Sequence, residues 1–425
     1  MLRRLVRLTL LVLPFLLPAP AQAQIRNCST LSQVNYVRDA VDDLYLWYRE
    51  VPPLNGARFS SPEAYLEAAR YRPLDTSFSY ITSAAETEAF YGESAYVGFG
   101  FGSAAAGDAL VITQVFPGSP ADDAGMQRGD RIVLIDNHSV STLLETGGLD
   151  AALGASEPGL SRRFAFSRGT AAMTAFLTKR IVTIPTVSLT RVYDVAGRRV
   201  GYIFFRNFVT PSFAALDAAF AELRAAGVTE LVLDLRYNGG GLVSVARHLA
   251  DLIGGRLTEG QVFAEYSHND RHLELNETLR FGAAANALNL SRVVMITTRS
   301  SASASELVAN ALRPFMPVVL IGDRTYGKPV GQYVFEFCEK VLALVSFSLT
   351  NANGEADYFD GLAPTCRAGD DLEHQLGDPA EASLQEALVY LDTGGCSSGL
   401  RALRQRPEGR PRPAVSGWQL LVGAR

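Results

Sequence analysis

The chain has 425 residues, of which 48% are hydrophobic and 20% are charged, and its formal net charge at pH 7 is −5. This length allows two or three domains, and this composition is ordinary for a soluble globular protein. An acidic chain without a basic tract is a poor candidate for binding nucleic acid, so we exclude that class of partner.

Residues 1–23 have the layout of a secretory signal peptide. Three arginines precede an apolar run from Leu8 to Leu17, and Ala21-Gln22-Ala23 follows it. The run is too short to span a bilayer comfortably, so we expect a cleaved signal, no stable membrane anchor and a periplasmic or secreted product. Cleavage would take three positive charges from a net charge of −5 and leave −8.

Four cysteines remain after cleavage, an even number that suits disulfides in an oxidising compartment. They lie too far apart in the sequence for a zinc ribbon. Four cysteines allow three pairings. Of these we favour Cys338–Cys366 with Cys28–Cys396, and the second bond would tie the two ends of the chain together.

Residues 24–93 are predicted to form an N-terminal helical cap. Asn35 to Tyr48 carries apolar residues at helical spacing. Ser61-Pro62 supplies an N-cap and a first-turn proline for another helix. We interpret the aromatic residues of this region as packing and not as a binding cage.

Residues 94–183 consist of short β-like runs with glycine. Gly98-Phe99-Gly100-Phe101 comes first, and residues 117–126 and 129–136 follow with Pro-Gly-Ser-Pro-Ala and Gly-Asp segments. Together and in this order they resemble a PDZ domain. The resemblance implies that the Gly-Phe-Gly-Phe loop binds a peptide C-terminus through its backbone N–H groups, while the peptide adds a strand to the sheet edge. A β-domain without a ligand remains an alternative.

Beyond residue 183 the chain alternates strands and helices, which indicates an α/β layer architecture. Residues 258–292 give no clear pattern, and the tail 397–425, rich in Arg, Pro and Gly, is predicted to be poorly ordered. Largely apolar runs typical of buried strands occur at residues 200–205, 230–235, 293–297 and 318–321.

The sequence lacks the usual signatures of several hydrolase classes. His268 and His272 are four residues apart but form no His-Glu-x-x-His motif, so we predict no metal and no cofactor. There is no Gly-x-Ser-x-Gly elbow. The segment from Gly322 to Lys328 continues into Pro329, where a phosphate-binding loop would have Ser or Thr.

A serine–lysine pair remains as the candidate chemistry. Ser301-Ala302-Ser303-Ala304-Ser305-Glu306 lies between an apolar run and a helical one, where unpaired backbone N–H groups can receive a developing oxyanion. A lysine becomes a general base only if its pKa falls from about 10 towards 7–8, which burial achieves. The uncharged neighbours of Lys328 are compatible with burial, although a solvated loop lysine stays open on the residues alone.

The stretch from about residue 184 to residue 365 resembles the C-terminal processing peptidases, or tail-specific proteases, a serine–lysine family also called S41. The expected peptidase core spans residues 184–396. Residues 234–241 look like the family's Asp-Leu-Arg-x-Asn-x-Gly-Gly motif, residues 301–306 like its nucleophile segment, and residues 322–328 with Gln332 like its base segment. The resemblance implies an α/β multi-domain protein with a helical cap, an inserted PDZ-like domain and a crotonase-like peptidase core of ββα units.

The resemblance also implies roles for the serines of this run. The family's nucleophile is the middle serine, with its lysine 25 positions further on, and Lys328 stands 25 residues after Ser303. Ser303 is therefore the expected nucleophile and Lys328 the expected base. Ser301 and Ser305 are expected to shape the turn and to cap the following helix.

Two further groups follow from the same resemblance. The N–H groups of Ala304 and Gly240 are the expected oxyanion donors, with that of Gly241 next. Gln332 corresponds to a residue that orients the lysine. Other members use an aspartate eleven residues after the serine, but this position is Pro314, which excludes an aspartate-assisted version.

The expected function is that of a serine endopeptidase acting through an acyl-enzyme on polypeptides, near their C-terminal tails. Two other functions stay open: a PDZ-type peptide-binding protein with an inactive core, and a hydrolase of small esters on the same core. The sequence does not indicate the natural substrate, the oligomeric state or whether the PDZ-like domain gates activity.

Overall fold

The computed structural model describes residues 27–397. The predicted signal peptide and nearly all of the predicted tail lie outside these residues. Within them, none of the helices has the length and apolar character needed to cross a membrane.

The N-terminal region combines three helices with one strand. Its elements are α1 (Thr30–Leu44), α2 (Pro62–Ala69), β1 (Tyr80–Ser83) and α3 (Ala84–Glu93), with 3₁₀ turns at Tyr48–Glu50 and Gly56–Arg58. A serine starts each helix, because the hydroxyls of Ser29, Ser61 and Ser83 accept hydrogen bonds from first-turn N–H groups. The region is therefore helical as predicted, but it also contributes a strand.

The PDZ-like unit is β-rich and has its own apolar core. Its elements are β2 (Ala95–Gly98), β3 (Phe101–Ala106), β4 (Ala109–Val115), α4 (Pro120–Asp123), β5 (Arg131–Ile135), β6 (His138–Ser139), α5 (Val140–Thr146), α6 (Leu149–Leu153), β7 (Ser161–Arg168), β8 (Ala171–Thr178) and β9 (Arg180–Thr183). The main sheet has the order β3-β4-β5-β7-β8, with β6 paired to β5. β2 and β9 pair separately, with Ala95 opposite Thr183, where the chain enters and leaves the unit.

The remaining residues form the α/β core. Its elements are β10 (Val187–Val195), β11 (Arg198–Phe205), α7 (Ser212–Ala225), β12 (Glu230–Asp234), α8 (Val243–Gly254), β13 (Val262–His268), β14 (Thr278–Arg280), β15 (Val293–Thr297), α9 (Ala304–Leu312), β16 (Val318–Gly322), β17 (Val330–Phe337), β18 (Lys340–Thr350), β19 (Cys366–Arg367) and α10 (Ala382–Thr393), with 3₁₀ turns at Gly255–Leu257 and Leu273–Leu275. One sheet has the order β10-β11-β12-β15-β16-β19, and all its pairings except β10–β11 are parallel. Residues 258–292, which give no clear pattern in the sequence, form β13 and β14.

A second sheet joins the core to the N-terminal region. β18 pairs with β17 along one side and with β1 and β13 along the other, and β14 extends β13. Buried residues of α1, such as Val37 and Val41, share one apolar cluster with Leu342 and Leu344 of β18. The N-terminal region is therefore part of the core's packing.

Arg128 connects the PDZ-like unit to the core. Its side chain is 2% exposed and lies 3.0 Å from the Asp370 carboxylate. It also donates to the Tyr237 hydroxyl at 2.6 Å, and to the carbonyls of Asp371 and His374 at 3.0 Å. A buried guanidinium with all these acceptors fixes the junction at one point.

The disulfide pairing predicted from the sequence is wrong. The bonds are Cys28–Cys338 and Cys366–Cys396, with Cα–Cα distances of 5.9 and 5.5 Å. Cys28 precedes α1, and α1 packs on β18. Its partner, Cys338, lies in the turn between β17 and β18, because this packing brings Cys28 next to that turn. Cys366 lies in the edge strand β19, and Cys396 follows α10, which packs against the same sheet.

We expect Arg128→Met to loosen the junction between the PDZ-like unit and the core. The change removes one of the two cations at Asp370, the other being Arg236 at 3.3 Å, and leaves several buried carbonyls without their donor. The free energy of local opening should therefore fall by about 2–4 kcal/mol. Native-state hydrogen exchange of residues 370–374 measures this quantity. The matched control is Arg131→Met, whose side chain is 44% exposed and pairs with the exposed Asp108; its effect should stay below about 1 kcal/mol. Equal exchange in the two variants would contradict the prediction.

Candidate active site

Three sequence motifs meet at one edge of the parallel sheet. β12, β15 and β16 are adjacent and parallel, so their carboxyl ends lie side by side. The glycine turn 238–241 follows β12, the serine run follows β15, and the segment that leads to Lys328 follows β16. The topology thus brings together residues that are up to 90 positions apart.

Ser303 is held in a strained backbone conformation at the N-terminus of α9. Its φ of 55° lies in the left-handed region, which residues with a side chain rarely adopt. Neither neighbouring serine caps α9, contrary to the prediction, because Ser303 itself occupies the N-cap position. Ser301 donates to Leu235 O at 2.7 Å and Ser305 to Asn238 O at 2.9 Å. Through these hydrogen bonds, Ser301 and Ser305 hold the serine run against the segment after β12.

The Asp-Leu-Arg-x-Asn residues build the glycine turn. Asp234 and Arg236 form a buried ion pair at 2.8 Å, and Arg236 also contacts Glu381 at 2.7 Å. Asn238 Oδ1 accepts a hydrogen bond from Gly240 N at 2.9 Å. Asp234 and Arg236 therefore fix the segment after β12 through buried ion pairs, and Asn238 shapes the glycine turn.

Gly240 lies against the predicted nucleophile. Its φ is +101°, and a Cβ added there would meet Ser303 Cβ at 2.8 Å and Ala304 N at 2.9 Å. Only glycine leaves this space open. The Gly240 N–H, however, already donates to Asn238, whereas Gly241 lines the cavity itself. This geometry favours Gly241 over Gly240 as the second oxyanion donor, beside Ala304 at the first position of α9.

Lys328 is buried, as the chemistry of a base requires. Burial lowers the pKa of Lys328 to about 8, although the carboxylates of Asp75 and Glu306 act in the opposite direction. Its Nζ donates to Gln332 Oε1 and lies 5.8 Å from the centre of the Phe78 ring.

Gln332 is oriented by a β-bulge and by the N-terminal region. The register of β17 against β18 shifts between Gly331 and Gln332, and such a bulge re-aims a side chain. Gln332 Nε2 donates to Phe78 O at 2.7 Å and to Ala343 O at 3.2 Å, which leaves Oε1 for Lys328. The sequence analysis missed the role of Phe78. The β-like run around Tyr80 was the available signal, because it places this segment beside β18.

Ser303 and Lys328 line one cavity of about 330 Å³. Ala304, Gly241 and Gln332 line it too, whereas the Gly98-Phe99-Gly100-Phe101 loop lies in the PDZ-like unit and is not part of this wall. Among the hydrogen bonds of the described residues, none joins Ser303 Oγ to Lys328 Nζ. A neutral amine that gives one N–H to Gln332 still has its lone pair for a serine proton.

Other parts of the cavity wall come from outside the predicted site. Tyr80, Thr87 and Tyr91 of the N-terminal region face it, and Leu307 and Tyr358 of the core give it an apolar side. The cavity is thus closed by the region that the sequence indicated only as a cap.

The PDZ-like loop places its two aromatic side chains in the interior. Phe99 and Phe101 are fully buried, and both rings contact Phe164, with centroids 4.9 and 5.8 Å apart. Gly98 and Gly100 are buried as well, and the Gly100 N–H donates to the Tyr96 hydroxyl. Binding of a peptide C-terminus by this loop stays a prediction.

Within residues 27–397, one group of potential metal ligands lies close together: Cys366, Glu386 and Cys396. Both sulfurs belong to a disulfide, so this group is not a metal site.

Comparisons with known proteins agree with this architecture. Residues 199–367 match Peptidase family S41, residues 32–80 match the Peptidase S41 N-terminal domain, and residues 111–152 match the PDZ domain. Each of these three segments of the chain is therefore similar to the domain that it matches. The predicted fold class and the predicted family resemblance are confirmed.

Named relatives are C-terminal processing enzymes. The chain is 32% identical to the chloroplastic C-terminal processing peptidase of Tetradesmus obliquus over 55% of this chain and 50% of that protein. It is 28% identical to the carboxyl-terminal-processing protease of Synechocystis over 67% of this chain and 65% of that protein. The chain spans about half to two thirds of the length of the curated relatives it matches.

Solved structures share the fold. A Bacteroides fragilis protein whose name assigns it to the S41 proteases superposes with a TM-score of 0.69 and 28% identity, over 84% of this chain and 96% of that one. The photosystem II D1 C-terminal processing protease gives a TM-score of 0.50 at 23% identity, over 80% of this chain and 93% of that one, which shows the fold alone.

We expect Gly240→Ala to abolish most of the reactivity of Ser303. The added Cβ would fall on Ser303 and on the Ala304 N–H, and losing an oxyanion donor costs about 100-fold or more. The rate of labelling by a fluorophosphonate probe measures this reactivity, with Ser303→Ala as the unlabelled reference.

Gly260→Ala is the control for backbone strain. Gly260 also has a positive φ, +77°, but its Cβ would meet no atom within 4 Å. It should label at the wild-type rate. Labelling of folded Gly240→Ala within about threefold of wild type would contradict the site geometry.

Proposed function

We propose that the chain is a serine endopeptidase that hydrolyses polypeptides by a Ser303–Lys328 acyl-enzyme mechanism. The observation that carries the proposal is a buried lysine with a pKa of about 8 in the same cavity as a strained serine at a helix N-terminus. The names of the relatives support peptide hydrolysis as the reaction.

The first step is attack by Ser303. Neutral Lys328 takes the proton of Ser303 Oγ as the oxygen bonds to the carbonyl carbon of the substrate. The resulting oxyanion accepts hydrogen bonds from the backbone N–H of Ala304 and from that of Gly241 or Gly240. Lys328, now an ammonium, returns the proton to the leaving amine, and the C–N bond breaks to give an acyl-enzyme.

The second step is hydrolysis of the ester. Water gives a proton to Lys328 as its oxygen attacks the acyl carbon, and the proton then returns to Ser303 Oγ when the C–O bond breaks. Gln332 holds the lysine throughout, because its Oε1 accepts one N–H while Phe78 O fixes its amide nitrogen.

The PDZ domain supports polypeptide tails as substrates. Domains of this class receive a peptide C-terminus at the loop that corresponds to Gly-Phe-Gly-Phe, and the proposal assigns this role to residues 98–101. The two disulfides support a periplasmic or secreted location, because such bonds persist in oxidising compartments. The Arg128–Tyr237 contact is a route by which tail binding would reach the glycine turn.

Turnover assays separate this proposal from its alternatives. We expect Ser303→Ala and Lys328→Ala each to lose at least about 1,000-fold in kcat/KM on an unfolded polypeptide, because such pairs act as a unit. The matched controls are Ser300→Ala, at an exposed serine, and Lys340→Ala, at a half-buried lysine that pairs with Glu63 away from the cavity. Both should keep wild-type activity.

The choice of substrate decides between the three functions. An otherwise identical polypeptide with a C-terminal amide should be cleaved more slowly, because it lacks the charge that the PDZ loop would bind. Cleavage of small esters without any polypeptide would identify an esterase. Tail binding without turnover would identify an inactive binding protein.

The pH profile tests Lys328 as the base. The base must be neutral, so kcat/KM should rise about tenfold per pH unit up to about pH 8 and then level off. The substrate should carry no group that titrates in this range. A midpoint below about pH 6 would contradict a lysine base with this pKa.

A further inference from the structure

One buried carboxylate beside the site has no part in the mechanism above. Glu306 is fully buried on the first turn of α9. Its carboxylate accepts four hydrogen bonds: from Ser303 N at 2.9 Å and Lys328 N at 2.9 Å to Oε2, and from Gly327 N at 2.7 Å and the Thr325 hydroxyl to Oε1.

We propose that Glu306 is a positioning residue that holds the nucleophile and the base in register. This inference rests on the proposed function. One oxygen atom, Oε2, accepts the amides of both Ser303 and Lys328. The two amide nitrogens, each 2.9 Å from this atom, can therefore be no more than 5.8 Å apart.

A local helix cap does not account for these contacts. A glutamate at this position of a helix commonly accepts the N–H of the N-cap residue, which here is Ser303. The other three donors come from residues 325–328, which belong to the segment after β16. Glu306 thus adds a side-chain link between two segments that are also joined by the hydrogen bond from Tyr326 N to Ser301 O at 2.9 Å. Unlike that bond, it engages the amides of Ser303 and Lys328 themselves, with Ser303 at its positive φ.

The contacts require an ionised carboxylate. Three partners are backbone N–H groups, which only donate. The Thr325 oxygen already accepts Leu362 N at 2.7 Å, and its own hydrogen goes to Glu306. A glutamine would turn an NH₂ group towards N–H donors, so Glu306→Gln breaks the link without changing the size of the side chain.

The charge gives a second readout. Glu306 and Asp75 are the two carboxylates that act on Lys328, and both raise its pKa against the effect of burial. Removing the charge of Glu306 should therefore move the acid limb of the pH profile to lower pH. Glu306→Asp keeps the charge but shortens the side chain, so it should leave the acid limb in place.

The experiment compares kcat, KM and the acid limb for wild type, Glu306→Gln and Glu306→Asp on one polypeptide. We expect Glu306→Gln to lose about 100-fold in kcat with KM within about threefold, because small misplacements of reacting groups cost this much. Glu306→Asp should lose about tenfold in kcat, since its carboxylate is intact but displaced.

The control is a buried glutamate outside the site. Glu386 accepts Ser397 N at 2.9 Å and the Ser397 hydroxyl at 2.6 Å on α10. Glu386→Gln should lower the unfolding temperature and leave kcat and the acid limb unchanged. A kcat of folded Glu306→Gln within about threefold of wild type, or a loss equal to that of Glu386→Gln, would overturn the proposal.

If Glu306→Gln does not fold, Glu306→Asp decides the question through the labelling rate of Ser303. Slower labelling with unchanged KM supports positioning, and labelling at the wild-type rate overturns it. Failure of the proposed function has a different signature, because the wild-type enzyme itself would then hydrolyse no polypeptide.

Discussion

The burial of the Lys328 amine is the constraint on which the rest of this structure depends. An ammonium group removed from water is costly, so a buried lysine becomes partly neutral near physiological pH, which is what a base for serine needs. In this structure the N-terminal region buries the Lys328 amine. Phe78 covers the amine and positions Gln332 through its carbonyl, while β1 extends the same sheet. The helices before β1 then keep this cover in place through an apolar cluster shared with β18. What looks like an accessory cap is thus a condition for the chemistry.

The sequence was most informative where a local pattern decides the outcome. Apolar runs predicted β11, β12, β15 and β16, because strands buried on both faces must be apolar throughout. Motifs with fixed spacing predicted that Ser303, Lys328 and Gln332 belong together, and the structure brings them into one cavity. Their catalytic roles stay a prediction. Residues 258–292 gave no clear pattern because β13 mixes buried and exposed positions without strict alternation and β14 has only three residues.

What depended on distant contacts could not be predicted. The disulfide pairing depends on which elements pack together, and neither the sequence separation of 310 for Cys28–Cys338 nor that of 30 for Cys366–Cys396 indicates it. The same holds for Phe78, which orients Gln332 through a backbone carbonyl that every residue possesses. The φ of Ser303 and the engagement of Gly240 N by Asn238 are also tertiary properties. From the sequence, Glu306 is typical of a residue that caps a helix. Its hydrogen bonds to the segment after β16 depend on tertiary structure.

The bond between Cys28 and Cys338 has a consequence for the chain's integrity. It closes a loop that contains the PDZ-like unit, the strands β2 and β9 where the chain enters and leaves that unit, and all three site segments. A backbone cut anywhere between these two cysteines therefore leaves both pieces covalently joined, with Ser303 and Lys328 on the same molecule. A chain of this design can be cut in an exposed turn of the PDZ-like unit without losing a fragment. Only reduction together with cleavage would separate the parts.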